Sequence, residues 1–212
     1  MPKTILFDLD GTLTDSGEGI INCASLALER LGLPVPDRQA MRVFVGPPLH
    51  DTFMKFGVRK DQVDEAIAIF RERYFRIGKF ENFPYPGIPE LLARLRELGY
   101  TLYIATSKPE TLALEVTTHF DIAKYFDLIC GATLDSSRVN KEDVIAYLMD
   151  ICGGADNAVM VGDTHYDVIG AKAHGIDTIG VSWGYGTVES MENAGAVAIA
   201  HTPEQLLQLI TR

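Results

Sequence analysis

Short apolar runs recur along the chain and alternate with amphipathic segments. Each run is rich in branched or aromatic residues and is bounded by glycine or polar residues, which is typical of buried β-strands. After Pro86 every run is followed by a helical pattern, as in 88–98, where leucines share one face before Gly99. This alternation predicts an α/β fold with a Rossmann-like, doubly wound parallel sheet. The predicted strands are Thr4–Phe7, Thr101–Ala105, Leu128–Cys130, Ala158–Val161, Thr178–Val181 and Val197–Ala200.

A different pattern fills the stretch between the first strand and the rest of the sheet. It contains no strand-like run, whereas Ile20–Leu31 and Asp61–Ile77 carry apolar residues at helical spacing. Asp15 and Glu18 have the spacing of a capping box at the start of the first of these helices. The pattern predicts a small helical domain inserted into the sheet domain. The predicted boundaries are 1–15 and 84–212 for the core and 16–83 for the insert.

Composition narrows the class of protein. The chain has 212 residues, of which 47% are hydrophobic and 23% charged, a balance typical of a globular protein. Its 19 basic and 29 acidic residues give a net charge of −10, which argues against binding to a nucleic acid polymer. Apolar stretches are too short to cross a bilayer, and Asp8 interrupts any signal-peptide core. We therefore expect a cytoplasmic protein, monomeric or homodimeric, that binds neither nucleic acid nor membrane.

Two carboxylates follow the first predicted strand, at Asp8 and Asp10. The carboxyl ends of parallel strands are where such sheets bind ligands, and Gly11 permits an abrupt turn there. Carboxylates this close repel each other, so a cation or a shared proton is expected between them. Taken alone, the pair also fits two solvated turn aspartates.

A second pair of carboxylates, Asp163 and Asp167, follows the strand Ala158–Val161. The two residues are one helical turn apart, and Asp163 alone could simply cap the following helix. Four acids at two strand ends are harder to explain as caps. Oxygen ligands of this kind favour Mg²⁺.

Two further positions carry groups that suit an anion. Thr106 and Ser107, followed by Lys108, come after the strand Thr101–Ala105, where hydroxyls and the amides of a helix start would seat an anion. Lys141 begins a predicted helix, with Arg138 three residues before it. A lysine is disfavoured at a helix start, so a negative partner would explain it. A loop with a capping serine and a solvated lysine are the competing interpretations.

In this order, the motifs resemble those of the haloacid dehalogenase superfamily of phosphohydrolases. They are 8-DLDGT-12, the strand ending at Thr106, Lys141 and 162-GDTHYD-167, and the helical insert corresponds to that superfamily's small cap. Three shorter segments resemble the phosphoglycolate phosphatase-like branch, and within it the members described as 5′-nucleotidases. These segments are Phe44–Leu49, Thr106–Pro109 and Gly180–Gly186.

The resemblance implies a role for each matching residue. Asp8 would attack phosphorus to form an aspartyl-phosphate, and Asp10 would serve as general acid and base. Thr106, Ser107 and Lys141 would hold the phosphoryl oxygens. Mg²⁺ would be bound by Asp8, the backbone carbonyl of Asp10, Asp163 and Asp167. Gly11, Arg138 and, from the cap, His50 are the further candidates for substrate binding.

A small phosphorylated metabolite is the expected substrate, with a nucleoside 5′-monophosphate first and phosphoglycolate as the alternative. Asp10 argues against a true dehalogenase, which lacks this second aspartate. A receiver domain would carry no helical insert after its first strand. A hexose-phosphate mutase and a catalytically silent phosphate-binding module stay open as alternatives, because fold alone does not settle activity.

Overall fold

The structure, a computed structural model, describes residues 3–135, 137–154 and 157–212. Strands and helices alternate through most of these residues, after an early stretch that is mainly helical. The strands are β1 (Thr4–Phe7), β2 (Thr14–Asp15), β3 (Phe83–Pro84), β4 (Thr101–Pro109), β5 (Leu128–Ala132), β6 (Ala158–Gly162), β7 (Asp177–Val181) and β8 (Ala198–Ala200). The α-helices are α1 (Gly17–Arg30), α2 (Arg38–Met41), α3 (Leu49–Lys55), α4 (Val63–Arg76), α5 (Ile88–Glu97), α6 (Glu110–His119), α7 (Lys141–Cys152), α8 (His165–Lys172), α9 (Val188–Ala194) and α10 (Pro203–Thr211).

The chain divides into two compact units. The α/β unit comprises Met1–Thr14 and Pro84–Arg212, and the helical unit comprises Asp15–Phe83. The chain passes from one unit to the other inside the two-residue strands β2 and β3. The α/β unit contains the main sheet, and the helical unit contains α1 to α4.

Six parallel strands form the main sheet in the order β5-β4-β1-β6-β7-β8. The first strand of the chain therefore lies inside the sheet, between β4 and β6. All six strands correspond to the apolar runs of the sequence, so the predicted α/β fold with a parallel sheet is confirmed. A parallel sheet brings the carboxyl ends of β1, β4 and β6 to one edge, where ligands bind in folds of this class.

Helices cover both faces of this sheet. Ile5 and Phe7 of β1 lie in a buried cluster with leucines of α5, whereas Leu6 lies in a second cluster with Val144 and Leu148 of α7. Successive residues of a strand point to opposite faces, so every position in β1 past Thr4 is buried. This two-sided burial is why the strands are continuous apolar runs in the sequence.

Strand β4 is longer than its apolar run. Thr106 is in register with Gly131, and the next pair in register is Pro109 of β4 with Ala132 of β5. Ser107 and Lys108 lie between these two pairs and form a bulge. A Cβ atom on Gly131 would lie 2.4 Å from the Lys108 carbonyl oxygen, so a glycine makes room for the bulge. Because α6 begins only at Glu110, the prediction that Thr106 and Ser107 stand at a helix start is wrong.

The helical unit is built around α1 and α4, which pack against each other. Its interior is aromatic: the Phe44 and Phe53 rings are 5.0 Å apart between centroids, and those of Phe70 and Tyr74 are 5.3 Å apart. Both predicted helices are present, whereas the short α2 and α3 lie in a segment where the sequence pattern shows no clear helix.

The predicted capping box at the start of α1 is not formed. Ser16 is the N-cap residue, and Asp15 accepts a hydrogen bond from the Gly17 amide at 3.2 Å instead. Asp15 therefore closes a local turn, a role that aspartate fills as readily as capping.

In the described ranges 3–135, 137–154 and 157–212, helices long and apolar enough to cross a membrane are absent.

The core of the α/β unit can be tested with two leucines of the same segment. Leu92 of α5 is fully buried, whereas Leu98, just past the helix end, is 44% exposed. Leu92→Ala should lower the free energy of unfolding by about 2–5 kcal/mol, because it leaves a cavity and removes apolar contacts. Leu98→Ala is the matched control and should cost far less. Urea unfolding of both variants checks this, and equal losses would contradict the assignment of the core.

Candidate active site

The site begins where the central strands end. Phe7 is in register with Ile104 of β4 and with Val161 of β6, so the residues that follow each strand converge at one edge. The Asp8 amide still donates to the Val161 carbonyl at 2.9 Å, which fixes Asp8 at the end of β1. Asp163 follows Gly162, the last residue of β6.

The turn after β1 is anchored by apolar side chains and shaped by a glycine. Leu9 and Leu13 are fully buried, and the Leu9 carbonyl accepts from the Leu13 and Thr14 amides at 2.9 and 3.0 Å. Gly11 has a φ of +89°, and a Cβ atom there would lie 2.3 Å from Oδ2 of Asp163. Its amide donates to the Thr14 carbonyl at 2.8 Å. Gly11 thus lets the turn pack directly on Asp163, and its contact with substrate stays a prediction.

Three carboxylates come together at this edge. One oxygen from each of Asp8, Asp163 and Asp167 lies within 4.8 Å of the others, and all three residues are buried. The two acid pairs that the sequence separates by more than 150 positions thus contribute to a single cluster. The carboxylate of Asp10 has a different environment, described below.

Lys141 supplies positive charge to this cluster from the first turn of α7. Its Nζ lies 2.6 Å from Oδ1 of Asp8 and 2.9 Å from Oδ1 of Asp167. It also donates to the Ala105 carbonyl at 2.8 Å, which fixes the ammonium group against β4. The negative partner expected for a lysine at a helix start is therefore a pair of carboxylates.

Asp163 is completely buried and held from two sides. The Thr12 hydroxyl donates to Oδ1 at 3.2 Å, and the Tyr185 amide donates to Oδ2 at 2.8 Å. A Cβ atom on Gly184 would lie 2.3 Å from the same Oδ2, so the loop after β7 can approach this closely only with a glycine there. The Trp183 indole ties that loop to the first turn by donating to the Thr12 carbonyl at 3.0 Å.

Asp167, and not Asp163, takes part in capping the helix that follows β6. Thr164 is the N-cap residue of α8, and its amide and hydroxyl both donate to Oδ2 of Asp167, at 3.0 and 2.8 Å. The other oxygen of Asp167 faces Lys141. One carboxylate thus joins the helix start to the charged cluster.

Burial disfavours the charged forms of the carboxylates in the cluster. Burial, with the nearby Asp167 and Asp8 carboxylates, raises the pKa of Asp163 to about 8. Burial also raises the pKa of Asp8 to about 6, against the opposing effect of Lys141. Burial lowers the pKa of Lys141, but Asp167 and Asp8 outweigh it and hold that pKa above its ordinary value. In the described part of the chain, the contacts of the cluster include one ammonium group for three carboxylates, and a divalent cation would balance them.

The residues present fit a magnesium ion. The donor set consists of carboxylate oxygens, which Mg²⁺ prefers, and it is buried and excessively negative. Gly11 and Gly184 keep side chains away from Oδ2 of Asp163. Of the four predicted metal ligands, Asp8, Asp163 and Asp167 lie together, whereas Asp10 was predicted to contribute only its backbone carbonyl.

The carboxylate of Asp10 pairs with a residue that the sequence analysis did not assign to the site. Lys108 Nζ lies 2.7 Å from Oδ1 and 2.5 Å from Oδ2 of Asp10. Lys108 was noted beside the hydroxyls after β4, but its direction depends on the bulge, which the local sequence does not reveal. The two acids after β1 thus have separate lysine partners, Lys141 for Asp8 and Lys108 for Asp10.

The remaining predicted residues have varied surroundings. Thr106 is buried, and its hydroxyl accepts from the Lys108 amide at 3.2 Å, whereas Ser107 is exposed. Arg138 donates to Glu110 at 2.9 Å and to the Gly131 carbonyl at 2.7 Å. Its guanidinium also lies 3.7 Å from the centroid of the Tyr147 ring. Through these three contacts, Arg138 joins β5, α6 and α7.

His50 belongs to α3 of the helical unit, where it is exposed and lies 3.2 Å from Oδ1 of Asp51. Substrate contacts of Thr106, Ser107, Arg138 and His50 stay predictions.

Comparison with known proteins bears on this arrangement of residues. Residues 5–181 match the family described as haloacid dehalogenase-like hydrolase. A 5′-nucleotidase of Pseudomonas aeruginosa is 43% identical over 88% of this chain and 86% of its own. Tyrosine-protein kinase PtkA of Mycobacterium tuberculosis is 42% identical over 94% of this chain and 69% of its own. A crystal structure described as a predicted phosphatase from Clostridium acetobutylicum has a TM-score of 0.94 at 40% identity, covering 100% of this chain and 99% of that one.

The chain belongs to the haloacid dehalogenase-like hydrolase family. The resemblance inferred from the motifs is confirmed, and so is the prediction of an enzyme of the hydrolase class that acts on phosphoric monoesters. The relatives carry different functional names, so the particular substrate has to be argued separately.

The buried charge predicts how stability depends on pH. The pKa of Asp163 in the fold, about 8, lies above its ordinary value of 3.8, so its stabilising contribution is complete below about pH 3.8 and is lost progressively as pH rises to about 8. The metal-free Asp163→Asn variant avoids that loss. Between about pH 6 and about pH 9, its free energy of unfolding should rise relative to the wild type by roughly 3 kcal/mol, since each pH unit below the folded pKa is worth about 1.4 kcal/mol. Chemical unfolding in EDTA checks this, with the exposed Asp150→Asn as control. A relative stability that is flat or falls with pH would contradict it.

Binding of a cation should offset the loss of stability that ionisation of the buried Asp163 causes. At about pH 8, millimolar Mg²⁺ should raise the melting temperature of the wild type, because a ligand that binds only the folded state stabilises it. The Asp163→Asn variant should respond much less, while Asp150→Asn should respond as the wild type does. Scanning calorimetry provides the measurement, and an equal response of Asp163→Asn would exclude Asp163 as a ligand.

Proposed function

We propose that the protein is a Mg²⁺-dependent phosphatase that hydrolyses small phosphomonoesters through an aspartyl-phosphate on Asp8. The observation that carries the proposal is the separation of the two acids after β1. Asp8 belongs to the buried cluster with Lys141, whereas Asp10 is held apart by Lys108. A nucleophile and a proton carrier need this kind of division, since one must attack phosphorus while the other exchanges protons.

In the first half of the reaction, a carboxylate oxygen of Asp8 attacks the phosphorus. The bond between phosphorus and the ester oxygen breaks, and Asp10 gives a proton to the departing alcohol. In the second half, Asp10 accepts a proton from water as the water oxygen attacks the same phosphorus. The bond between phosphorus and Asp8 then breaks, which releases inorganic phosphate and restores the carboxylate.

Charge balance determines whether a phosphate dianion can approach Asp8. Lys141 lies against Asp8 and offsets part of the negative charge there. A magnesium ion, held by Asp8, Asp163, Asp167 and the carbonyl of Asp10, would supply further positive charge for the phosphoryl oxygens. Thr106 and Ser107, at the bulge in β4, are the proposed hydrogen-bond donors to those oxygens. Such positioning and electrostatic stabilisation make up most of what phosphoryl transfer requires.

We propose a nucleoside 5′-monophosphate as the leading substrate. The support is the 43% identity to a 5′-nucleotidase over most of both chains. Phosphoglycolate is the alternative, on the resemblance of the three short segments to that branch. His50 is the proposed contact to the remainder of the substrate. The proposed setting is the cytoplasm, with a small phosphorylated metabolite as the ligand.

Loss of the nucleophile tests the covalent mechanism. Asp8→Asn should reduce phosphate release below about 10⁻³ of the wild-type rate, because an amide cannot form the intermediate. Its fold should persist, since the amide oxygen can still accept from Lys141. Asp150→Asn, the same change at an exposed site, should keep full activity. Appreciable turnover by a folded Asp8→Asn would overturn the covalent mechanism.

The same assay identifies the substrate. Phosphate release is compared across nucleoside monophosphates, phosphoglycolate, hexose phosphates, phosphotyrosine and pyrophosphate, with and without EDTA. The highest kcat/KM should fall on a nucleoside 5′-monophosphate and vanish in EDTA. A clear preference for phosphoglycolate would select the alternative, and stable retention of phosphate on Asp8 would favour a mutase. If none of these compounds releases phosphate, the catalytically silent phosphate-binding module is the remaining alternative.

A further inference from the structure

Lys108 lies in a position that the proposed chemistry can use. We infer that Lys108 is a positioning residue, which fixes the carboxylate of Asp10 where it accepts the proton of the attacking water. This inference rests on the proposed function, because it assigns a role within the second half of that reaction. The supporting observations are the geometry of the pair, its burial and the construction of the bulge that carries Lys108.

Lys108 contacts both carboxylate oxygens of Asp10 at short distance. Nζ lies 2.7 Å from one carboxylate oxygen and 2.5 Å from the other, so the ammonium group restricts the carboxylate in two directions. The side chain of Lys108 is only 3% exposed, and that of Asp10 is 15% exposed. A pair shielded to this degree holds its geometry far better than a solvated surface pair.

The backbone is built to direct Lys108 inward. Two residues of β4, Ser107 and Lys108, have no register partner in β5, and the Lys108 amide donates to the Thr106 hydroxyl at 3.2 Å. A Cβ atom on Gly131 would lie 2.4 Å from the Lys108 carbonyl, so this part of β5 accommodates the bulge by having no side chain. Bulges next to active sites commonly redirect a side chain in this way.

Without this contact, Asp10 would have other attractive partners nearby. Lys141 lies at the cluster of Asp8, two residues earlier in the chain, and the proposed cation would be held there as well. The pairing with Lys108 holds the Asp10 carboxylate away from that cluster. A carboxylate in a fixed place can accept a proton from the water that attacks the phosphorylated enzyme. Lys108 therefore acts through Asp10.

A burst experiment with p-nitrophenyl phosphate separates the two halves of the reaction. The p-nitrophenolate group leaves readily without a general acid, so the Lys108→Met variant should still be phosphorylated quickly. Its dephosphorylation should be slower by on the order of 10²-fold. Stopped-flow absorbance should then show a burst of about one product per enzyme before a slow steady state. Lys108→Arg, which keeps the charge, should recover part of the steady-state rate.

Matched variants distinguish positioning from other roles. Lys124→Met makes the same change at an exposed lysine paired with Asp121 and should behave as the wild type does. In an Asp10→Asn background, Lys108→Met should cause no further loss of the dephosphorylation rate, because its effect passes through Asp10. Thermal unfolding shows whether each variant is folded, and the Asp10→Asn pair still gives an answer if Lys108→Met alone is unstable.

Three results would overturn the inference. They are a folded Lys108→Met with unchanged turnover, a slow variant without a burst, and losses that add in the Asp10→Asn background. A slow variant without a burst would mean that Lys108 serves the fold or binds the substrate directly. Failure of the wild type to hydrolyse any phosphomonoester would instead refute the proposed function itself.

Discussion

An excess of buried negative charge is the constraint around which the α/β unit is arranged. Asp8, Asp163 and Asp167 meet where β1 and β6 end, and Lys141 offsets only part of their charge. The groups around them are mostly donors: the Thr12 hydroxyl, the Tyr185 amide and the start of α8. Such an arrangement sacrifices stability for a strong electrostatic field at one point, as functional sites commonly do. The large apolar clusters on both faces of the sheet stabilise the fold that carries it.

The fold could be predicted from the sequence because a buried parallel strand leaves a strong signature. Leu6 and its neighbours are covered on both faces, so they form an uninterrupted apolar run, and glycine or polar residues end it. The hydrogen bonds at the start of α1 could not be predicted in the same way, because aspartate suits several local hydrogen-bonding patterns. Asp15 and Glu18 have the spacing of a capping box, yet Asp15 closes a turn instead.

The acid cluster could also be predicted, since strand ends in a parallel sheet converge and motif order reveals which ends matter. What could not be predicted depends on contacts between distant residues. The pairing of Lys108 with Asp10 requires a bulge that is visible only when β4 is aligned with Gly131 of β5. Arg138 was predicted to contact substrate, and its geometry is dominated by Glu110, a partner 28 residues away that the sequence offered no reason to choose.

The place of β1 in the sheet has a consequence for how the chain is made. Thr4 pairs with Thr101 on one side and with Ala158 on the other, so β1 leaves the ribosome long before either neighbour exists. The helical unit, Asp15–Phe83, is synthesised in full before β4 begins. Until β6 emerges, at least one edge of this apolar strand stays unpaired and exposed to other chains. Nascent chains that stall between Thr101 and Ala158 are therefore the form of this protein most in need of a chaperone.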